Sequence, residues 1–228
     1  MPVLAYITVA VAAYLLGSIP TGFLVAKAKG IDIRSVGSGN IGATNAMRVL
    51  GKPAGIFVLL MDAAKGYTAC LLGVLICVHY FSPPSGITDS IAGADAKESE
   101  FIALLGHIAI LAGIFAVLGH NYTCWLKFKG GKGIATTAGV YLALAPWGLL
   151  VALLVFILAI LLTRYVSVGS IVGAVALPAT VWVMSPQNIF LGVVTTALGA
   201  LAIYKHKSNI QRLMAGTENR LGQKKETK

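Results

Sequence analysis

The chain has 228 residues, of which 57% are hydrophobic and only 11% are charged, and its mean hydropathy is +0.83. This composition excludes a separate soluble domain, so we expect one membrane-embedded domain over residues 1–228 with its chemistry in loops and at helix ends. The formal charge of +10 fits basic loops beside apolar spans, the pattern of the positive-inside rule, and does not indicate nucleic-acid binding.

Long apolar runs predict an all-α integral membrane protein with about seven transmembrane helices, because one crossing needs roughly 20 apolar residues. Suitable runs are residues 3–26, 54–77, 101–119, 168–184 and 188–204. The run 134–162 fits either one helix kinked at Pro146 or two short spans that meet there. Charge favours two spans, because two crossings place Arg164 and the basic tail 205–228 on the inner side.

The distribution of charge also predicts the orientation. No Lys or Arg precedes Lys27, so a signal peptide with a charged start is not expected and the first apolar run stays as a span. The N-terminus is then outside, the acidic loop 82–100 is outside, and the C-terminus is cytoplasmic. Three polar segments fall on the cytoplasmic face: residues 34–52, 119–136 and 206–219.

Polar chemistry on one face of the membrane favours an enzyme over a channel or transporter, which needs polar groups at mid-membrane. The competing hypothesis is a transporter or lipid flippase that binds an anionic headgroup. Asp62 and Lys65, three residues apart within the second span, favour that alternative. We expect instead that they neutralise each other as an ion pair close to the site or help to orient it.

The first polar segment contains GSGNIGATNAMR, residues 37–48. Its glycines allow close approach of the backbone to a ligand, and its amides together with Arg48 suit an anion. The stretch from Gly37 to Gly42 matches G-x-G-x-x-G, but a dinucleotide site requires a preceding strand and an acidic residue about 20 residues later. A membrane helix and a charged loop precede it here, so we retain only the prediction of a phosphate-binding backbone.

The second segment carries Gly130, Gly131, Lys132 and Gly133 directly before an apolar run. Unpaired N–H groups at a helix start, together with a lysine, predict another anion site. In the third segment, His206 and Asn209 are three residues apart and share a helix face. Both side chains can bond phosphate or hydroxyl oxygens.

Several familiar motifs are missing from the sequence. No histidine is followed five residues later by aspartate, which excludes the HxxxxD dyad of thioester-dependent acyltransferases. The eight acidic residues are scattered, unlike the aspartate run of metal-dependent phosphatidyl-alcohol transferases. No Cys/His cluster has metal-ligand spacing, so neither a metal nor another cofactor is expected. The three cysteines form no disulfide framework.

Together the three segments resemble the bacterial membrane glycerol-3-phosphate acyltransferases that use acyl phosphate as donor. The resemblance rests on GSGNIGATNAMRVLGK, GHNYTCWLKFKGGKGIAT and HKSNIQRLMAGTEN. It implies a seven-span protein of the bacterial cell membrane with its active site facing the cytoplasm. Its partners would be glycerol 3-phosphate, acyl phosphate and membrane lipid, and its product 1-acyl-glycerol 3-phosphate. The acidic loop 82–100 is longer than the family needs.

The resemblance also implies the site residues. The catalytic residues would be Ser38, Arg48, Lys132, His206 and Asn209. The substrate-binding residues would be Gly39, Asn40, Gly42, Thr44, Asn45, Gly130, Gly131 and Gly133. Glu218 would be a structural residue. The general base remains open between His206 and the phosphate of the substrate.

Overall fold

The computed structural model describes residues 2–81 and 91–222, and in this part of the chain all regular secondary structure is helical. The helices are α1 Pro2–Ser18, α2 Thr21–Lys27, α3 Ala43–Leu50, α4 Lys52–Tyr80, α5 Ile91–Asn121, α6 Ile134–Leu144, α7 Pro146–Thr163, α8 Val166–Met184, α9 Ile189–Lys205 and α10 Lys207–Met214. A single 3-10 turn over Cys124–Leu126 follows α5. The predicted all-α membrane fold is confirmed.

Five helical stretches of the described chain are long and apolar enough to cross a bilayer: Val3–Lys27, Lys52–Tyr80, Glu98–Leu126, Pro146–Thr163 and Val166–Met184. A sixth candidate is the pair α9 and α10, which are bent by 52° at their junction. The predicted seventh crossing depends on α6, which has only 11 residues. An α-helix of that length covers about 16 Å, roughly half of the hydrocarbon thickness.

The run 134–162 forms two helices and not one kinked helix. α6 ends at Leu144 and α7 begins at Pro146, with Ala145 between them in a non-helical conformation at φ −153° and ψ 70°. Proline disfavours the helical conformation of the residue before it but fits the first turn of a helix. The break therefore follows from the residue at position 146. It also separates two compact units, one ending at Leu144 and the other beginning at Ala145.

Glycines bring the helices of the first unit into close contact. A side chain at Gly17 would overlap the carbonyl of Ala116 on α5, and one at Gly139 of α6 would overlap the carbonyl of Ala63 on α4. Packing through small residues is the common way for helices to associate in lipid, where burial of apolar surface gives little driving force. The ends of α5 and α6 are thereby fixed against α1 and α4.

The polar loops of the first unit sit on a small apolar cluster of their own. Its buried members are Ala26, Ile33, Ile41, Ala46, Val58 and Leu126. They come from the loops and helices on either side of the first polar segment and from the 3-10 turn of the second. Segments 34–52 and 119–136 therefore share one core, as expected for two walls of one site.

In the second unit, α7, α8 and α9 pack in sequence, and the tail returns to the turn between α7 and α8. The Leu221 N–H donates to the carbonyl of Arg164 at 2.8 Å, and Arg220 Nε donates to the Tyr165 hydroxyl at 2.8 Å. Arg164 and the tail thus lie on the same side of the membrane, as predicted. Residues 82–90 of the predicted acidic loop lie outside the described residues, whereas 91–100, also expected in the loop, form the start of α5. The orientation of the termini remains a prediction.

The orientation can be tested by labelling with a membrane-impermeant maleimide, after Cys70, Cys77 and Cys124 have been replaced. We expect cysteines at Arg164 and Thr217 to react only after the cells are permeabilised, because both positions lie at the predicted cytoplasmic face. A cysteine at the exposed Gln187, at the opposite end of α8, should react in intact cells. Reaction of Arg164→Cys in intact cells would contradict the predicted orientation.

Candidate functional site

A single buried carboxamide organises the first polar loop. Asn45, on α3, is only 1% exposed. Its Oδ1 accepts a hydrogen bond from the Ser38 N–H at 2.8 Å. Its Nδ2 donates to the carbonyls of Ile33, Val36 and Asn40 at 3.3, 3.1 and 2.9 Å. Asn45 therefore stabilises the loop from within. We expect the neighbouring residues of this segment, and not Asn45 itself, to contact a ligand.

The glycines of this loop allow its turns to form. Gly37 and Gly39 have φ values of +64° and +70°, which side-chain-bearing residues rarely adopt. A side chain at Gly37 would also overlap Oδ1 of Asn45. Gly42 precedes α3, and its N–H donates to Oδ1 of Asn40 at 2.8 Å. These contacts shape the backbone so that the residues beside them face outward.

Three predicted site residues place exposed polar side chains on this loop and on α3, namely Ser38, Thr44 and Arg48. Thr44 and Arg48 are four residues apart and therefore share one face of α3. Thr44 lies in the first turn of the helix, where backbone N–H groups have no intrahelical acceptor. Two hydroxyls, a guanidinium and a helix start together form a suitable surface for phosphate.

The side chain of another arginine in this segment makes its contacts with neighbouring residues of the protein. The Arg34 guanidinium donates to both carboxylate oxygens of Asp32, with the closest contact at 2.7 Å. These hydrogen bonds lower the pKa of Asp32 to about 2. The guanidinium carbon also lies 4.9 Å from the ring centroid of Phe23. Arg34 thus braces the start of the loop.

The second segment turns back onto the end of α5. The Gly131 N–H donates to the carbonyl of His120 at 3.0 Å, and the Gly130 N–H donates to that of Asn121 at 3.2 Å. We expected N–H groups available to a ligand at these glycines, but both are used by the last carbonyls of α5, which have no partner within the helix. Lys132 follows half-buried, and Gly133, at φ +81°, leads into α6.

Side-chain hydrogen bonds tie the beginning of this turn to α1. The Tyr14 hydroxyl donates to the carbonyl of Tyr122 at 2.7 Å, and the Thr123 hydroxyl donates to that of Ser18 at 2.6 Å. The turn that carries Lys132 is therefore anchored on both α1 and α5.

Sequence reasoning gave no role to His120, which is buried and lies 3.6 Å from Oδ1 of Asp62 through its Nδ1. The expected ion pair of Asp62 with Lys65 is present at 2.8 Å. The sequence feature that could have pointed to this cluster is the presence of ionisable residues inside a span, because such residues are rare unless they are paired or functional. What the sequence did not reveal was the histidine that joins the pair.

In the second unit, the junction of α9 and α10 fixes the imidazole of His206. Its side chain is buried, and its Nδ1 lies 2.8 Å from the carbonyl oxygen of Ala202. Because a carbonyl oxygen only accepts hydrogen bonds, Nδ1 carries a proton. In the neutral ring Nε2 is then the acceptor nitrogen, the form that a general base requires.

Glu218 holds the third segment together. Its two carboxylate oxygens accept hydrogen bonds from Asn209 Nδ2 and Arg212 Nε, each at 2.7 Å. Burial raises the pKa of Glu218, but hydrogen bonds from Asn209, Arg212 and Ser167 outweigh this effect, so the pKa is lowered overall. The structural role implied for Glu218 thus has a geometric basis in this unit. The approach of this segment to the other two remains a prediction.

Replacement of Asn45 should destabilise the first unit. In Asn45→Ala the Ser38 N–H and three carbonyls lose their partner, and an unsatisfied buried group costs about 1–3 kcal/mol. We expect a lower midpoint of thermal unfolding in detergent. The matched control is Thr44→Ala, an exposed residue one position earlier, which should leave the midpoint unchanged. Equal midpoints for Asn45→Ala and the wild type would contradict the assigned role.

Glu218→Gln should lower stability by about 1.5–3 kcal/mol at neutral pH, because charge-assisted hydrogen bonds are lost. The pKa of Glu218 is lowered from its ordinary 4.5, so its contribution is complete above pH 4.5 and is lost as the pH falls through the folded-state pKa. We therefore expect the difference in unfolding midpoint between the wild type and Glu218→Gln to close in acid. Exposed Glu100→Gln serves as control; a difference that stays constant below pH 4.5 would contradict the assignment.

Comparisons with known proteins identify the family of the chain. The glycerol-3-phosphate acyltransferase family matches residues 7–216. A glycerol-3-phosphate acyltransferase of Desulforamulus reducens is 44% identical over 221 residues, which cover 96% of each chain. One from Geotalea daltonii is 41% identical over 213 residues, covering 93% of this chain and 96% of its own.

Among solved structures, the chain is similar to the crystal structure of PlsY, an integral membrane glycerol 3-phosphate acyltransferase, in its glycerol 3-phosphate form. The TM-score is 0.78 at 37% identity, covering 95% of this chain and 96% of that chain. The lysophosphatidic acid form of the same enzyme gives a TM-score of 0.75 at 36% identity. By sequence along most of its length and by its helical membrane fold, the chain belongs to the glycerol-3-phosphate acyltransferase family.

Proposed function

We propose that the chain transfers an acyl group from acyl phosphate to glycerol 3-phosphate at the cytoplasmic face of the bacterial cell membrane. The products are 1-acyl-glycerol 3-phosphate and inorganic phosphate. The observation that carries this proposal is the loop built around Asn45, which leaves Ser38, Thr44 and Arg48 exposed beside a helix start. Membership of the glycerol-3-phosphate acyltransferase family supports the acceptor.

The chemistry of the donor fits such a site. Acyl phosphate is a mixed anhydride, which is already activated and releases phosphate as its leaving group. Both substrates then carry phosphate, so the site needs cations and hydrogen-bond donors more than it needs a protein nucleophile. The absence of the HxxxxD dyad supports the same donor, because thioester-dependent acyltransferases use that dyad.

Arg48 and Lys132 neutralise phosphate charge in this mechanism, and the Ser38 hydroxyl donates to a phosphate oxygen. Arginine suits a bidentate contact. Thr44, with the first amides of α3, and Gly133, with those of α6, supply further donors. Asn45, Gly130 and Gly131 shape these donors and do not touch the ligand. Acceleration comes mainly from positioning and electrostatic stabilisation.

In the acyl-transfer step, a glycerol hydroxyl oxygen bonds to the acyl carbonyl carbon. The bond from that carbon to the phosphate oxygen breaks, and phosphate leaves with the bonding electrons. The hydroxyl proton goes to Nε2 of His206 or to a phosphate oxygen of the substrate. The carbonyl of Ala202, which keeps the proton of His206 on Nδ1, supports the first route. Asn209, held by Glu218, orients the hydroxyl.

The test is acyl transfer by purified protein in detergent, where no second compartment exists. We expect radiolabelled glycerol 3-phosphate to be acylated with acyl phosphate and not with acyl-CoA or acyl carrier protein. Arg48→Ala should lower kcat by about 10²–10³, by analogy with the loss of one oxyanion-hole donor. Lys29→Ala removes one exposed positive charge outside the three segments and should retain normal turnover.

Transfer from acyl-CoA or acyl carrier protein, with none from acyl phosphate, would refute the proposed donor. Failure with all three donors would favour the flippase hypothesis. Normal turnover of Arg48→Ala would refute the role of that residue alone.

A further inference from the structure

Three ionisable side chains are buried together in the first unit, apart from the exposed residues of the site. On α4, Asp62 Oδ1 lies 2.8 Å from Lys65 Nζ, and the two side chains are 3% and 5% exposed. His120, near the end of α5, places Nδ1 3.6 Å from the same oxygen of Asp62. Charges buried beside lipid are costly even when they are paired. Helix packing alone gives no reason to retain all three groups.

Two members of this cluster reach backbone that lies outside regular helix. Lys65 Nζ donates to the carbonyl of Ile19 at 2.9 Å, at the break between α1 and α2. Pro20 follows, and it lacks the N–H that continues a helix. Lys65 therefore neutralises Asp62 and at the same time donates to a carbonyl at this break, which also accepts the Thr21 N–H at 3.1 Å.

His120 extends from Asp62 to the glycine turn. A side chain at Gly131 would overlap Nε2 of the imidazole, so the ring lies directly against the backbone of that glycine. The carbonyl of His120 also accepts the Gly131 N–H at 3.0 Å. The same residue thus fixes Gly131 through both its side chain and its main chain. Lys132 is the next residue in the chain.

We propose that Asp62, acting through His120, is a positioning residue for the turn that carries Lys132. The Asp62 carboxylate fixes the imidazole, the imidazole fixes Gly131, and the position of Gly131 determines where Lys132 presents its ammonium group to phosphate. The link to catalysis rests on the proposed role of Lys132. Asp62 and His120 are both buried and touch no substrate in this arrangement.

The first test is a double-mutant cycle on kcat/KM for glycerol 3-phosphate. Asp62→Asn is combined with Lys65→Gln, because either change alone would leave an unpaired buried charge. The introduced glutamine amide can still donate to the carbonyl of Ile19. The pair is introduced into the wild type and into Lys132→Gln. A misplacement of about 1 Å can cost about 10²-fold in rate, so we expect a loss of at least about tenfold in the wild type. In Lys132→Gln the further loss should be below about twofold, because the lysine to be positioned is gone.

The second test uses hydrogen exchange and does not depend on activity. In the Asp62→Asn/Lys65→Gln protein, the Gly130 and Gly131 amides should exchange at least about tenfold faster, while the amides of α3 keep their wild-type rates. The control is Glu100→Gln, which removes one exposed carboxylate outside the three polar segments. It should change neither kcat/KM nor exchange at the glycine turn.

Equal losses of kcat/KM in both backgrounds would overturn the proposal, because they indicate a general structural effect. Unchanged exchange at Gly130 and Gly131 would overturn it as well. If Lys132→Gln alone has wild-type activity, Lys132 has no role in the proposed function. Hydrogen exchange alone then decides whether Asp62 positions the turn. If the wild type transfers no acyl group from acyl phosphate, the proposed function fails, and hydrogen exchange again decides the positioning role.

Discussion

Backbone that leaves a helix near the bilayer must find its hydrogen-bond partners within the protein, and the three polar segments depend on this requirement. In the first two segments the backbone finds such partners inside the protein, and in the third a buried carboxylate holds two side chains in place. Asn45 holds the first loop, the end of α5 takes up the amides of the glycine turn, and Glu218 holds Asn209 and Arg212. Once these internal partners are in place, neighbouring side chains are available to a ligand.

The composition of the segments follows from two roles. Some residues stabilise the backbone, and others expose side chains that can contact a ligand. A phosphate site lowers an activation barrier best when its donors need no rearrangement during the reaction. In the first loop, the buried amide of Asn45 and the glycine conformations hold the backbone in place before a ligand binds. Ser38, Thr44 and Arg48 are therefore exposed on a fixed backbone. We therefore expect asparagine and glycine to be as necessary to the proposed phosphate site as the residues that carry charge.

Much of the fold follows from the sequence, because long apolar runs have few alternatives in lipid and Pro146 determines the break after α6. The site was predicted less completely. Which amides of the glycine turn remain available depends on where α5 ends, and the sequence of the turn does not contain that information. The contact of His120 with Asp62 depends on how α4 and α5 pack, to which small buried residues such as Ala69 on α4 and Ala112 on α5 contribute. The roles of Ser38, His206 and Asn209 came from family resemblance, since isolated residues of these types occur at many helix ends.

The return of the tail to the turn between α7 and α8 bears on the order in which the protein is completed. Arg220 and Leu221 contact Tyr165 and Arg164, residues made more than fifty positions earlier. A ribosome adds about 5–20 residues per second and releases the C-terminus last. The helices of the second unit are therefore made before the tail can contact the turn between α7 and α8. The contact that closes this end of the second unit therefore forms only after α7, α8 and α9 have all been synthesised.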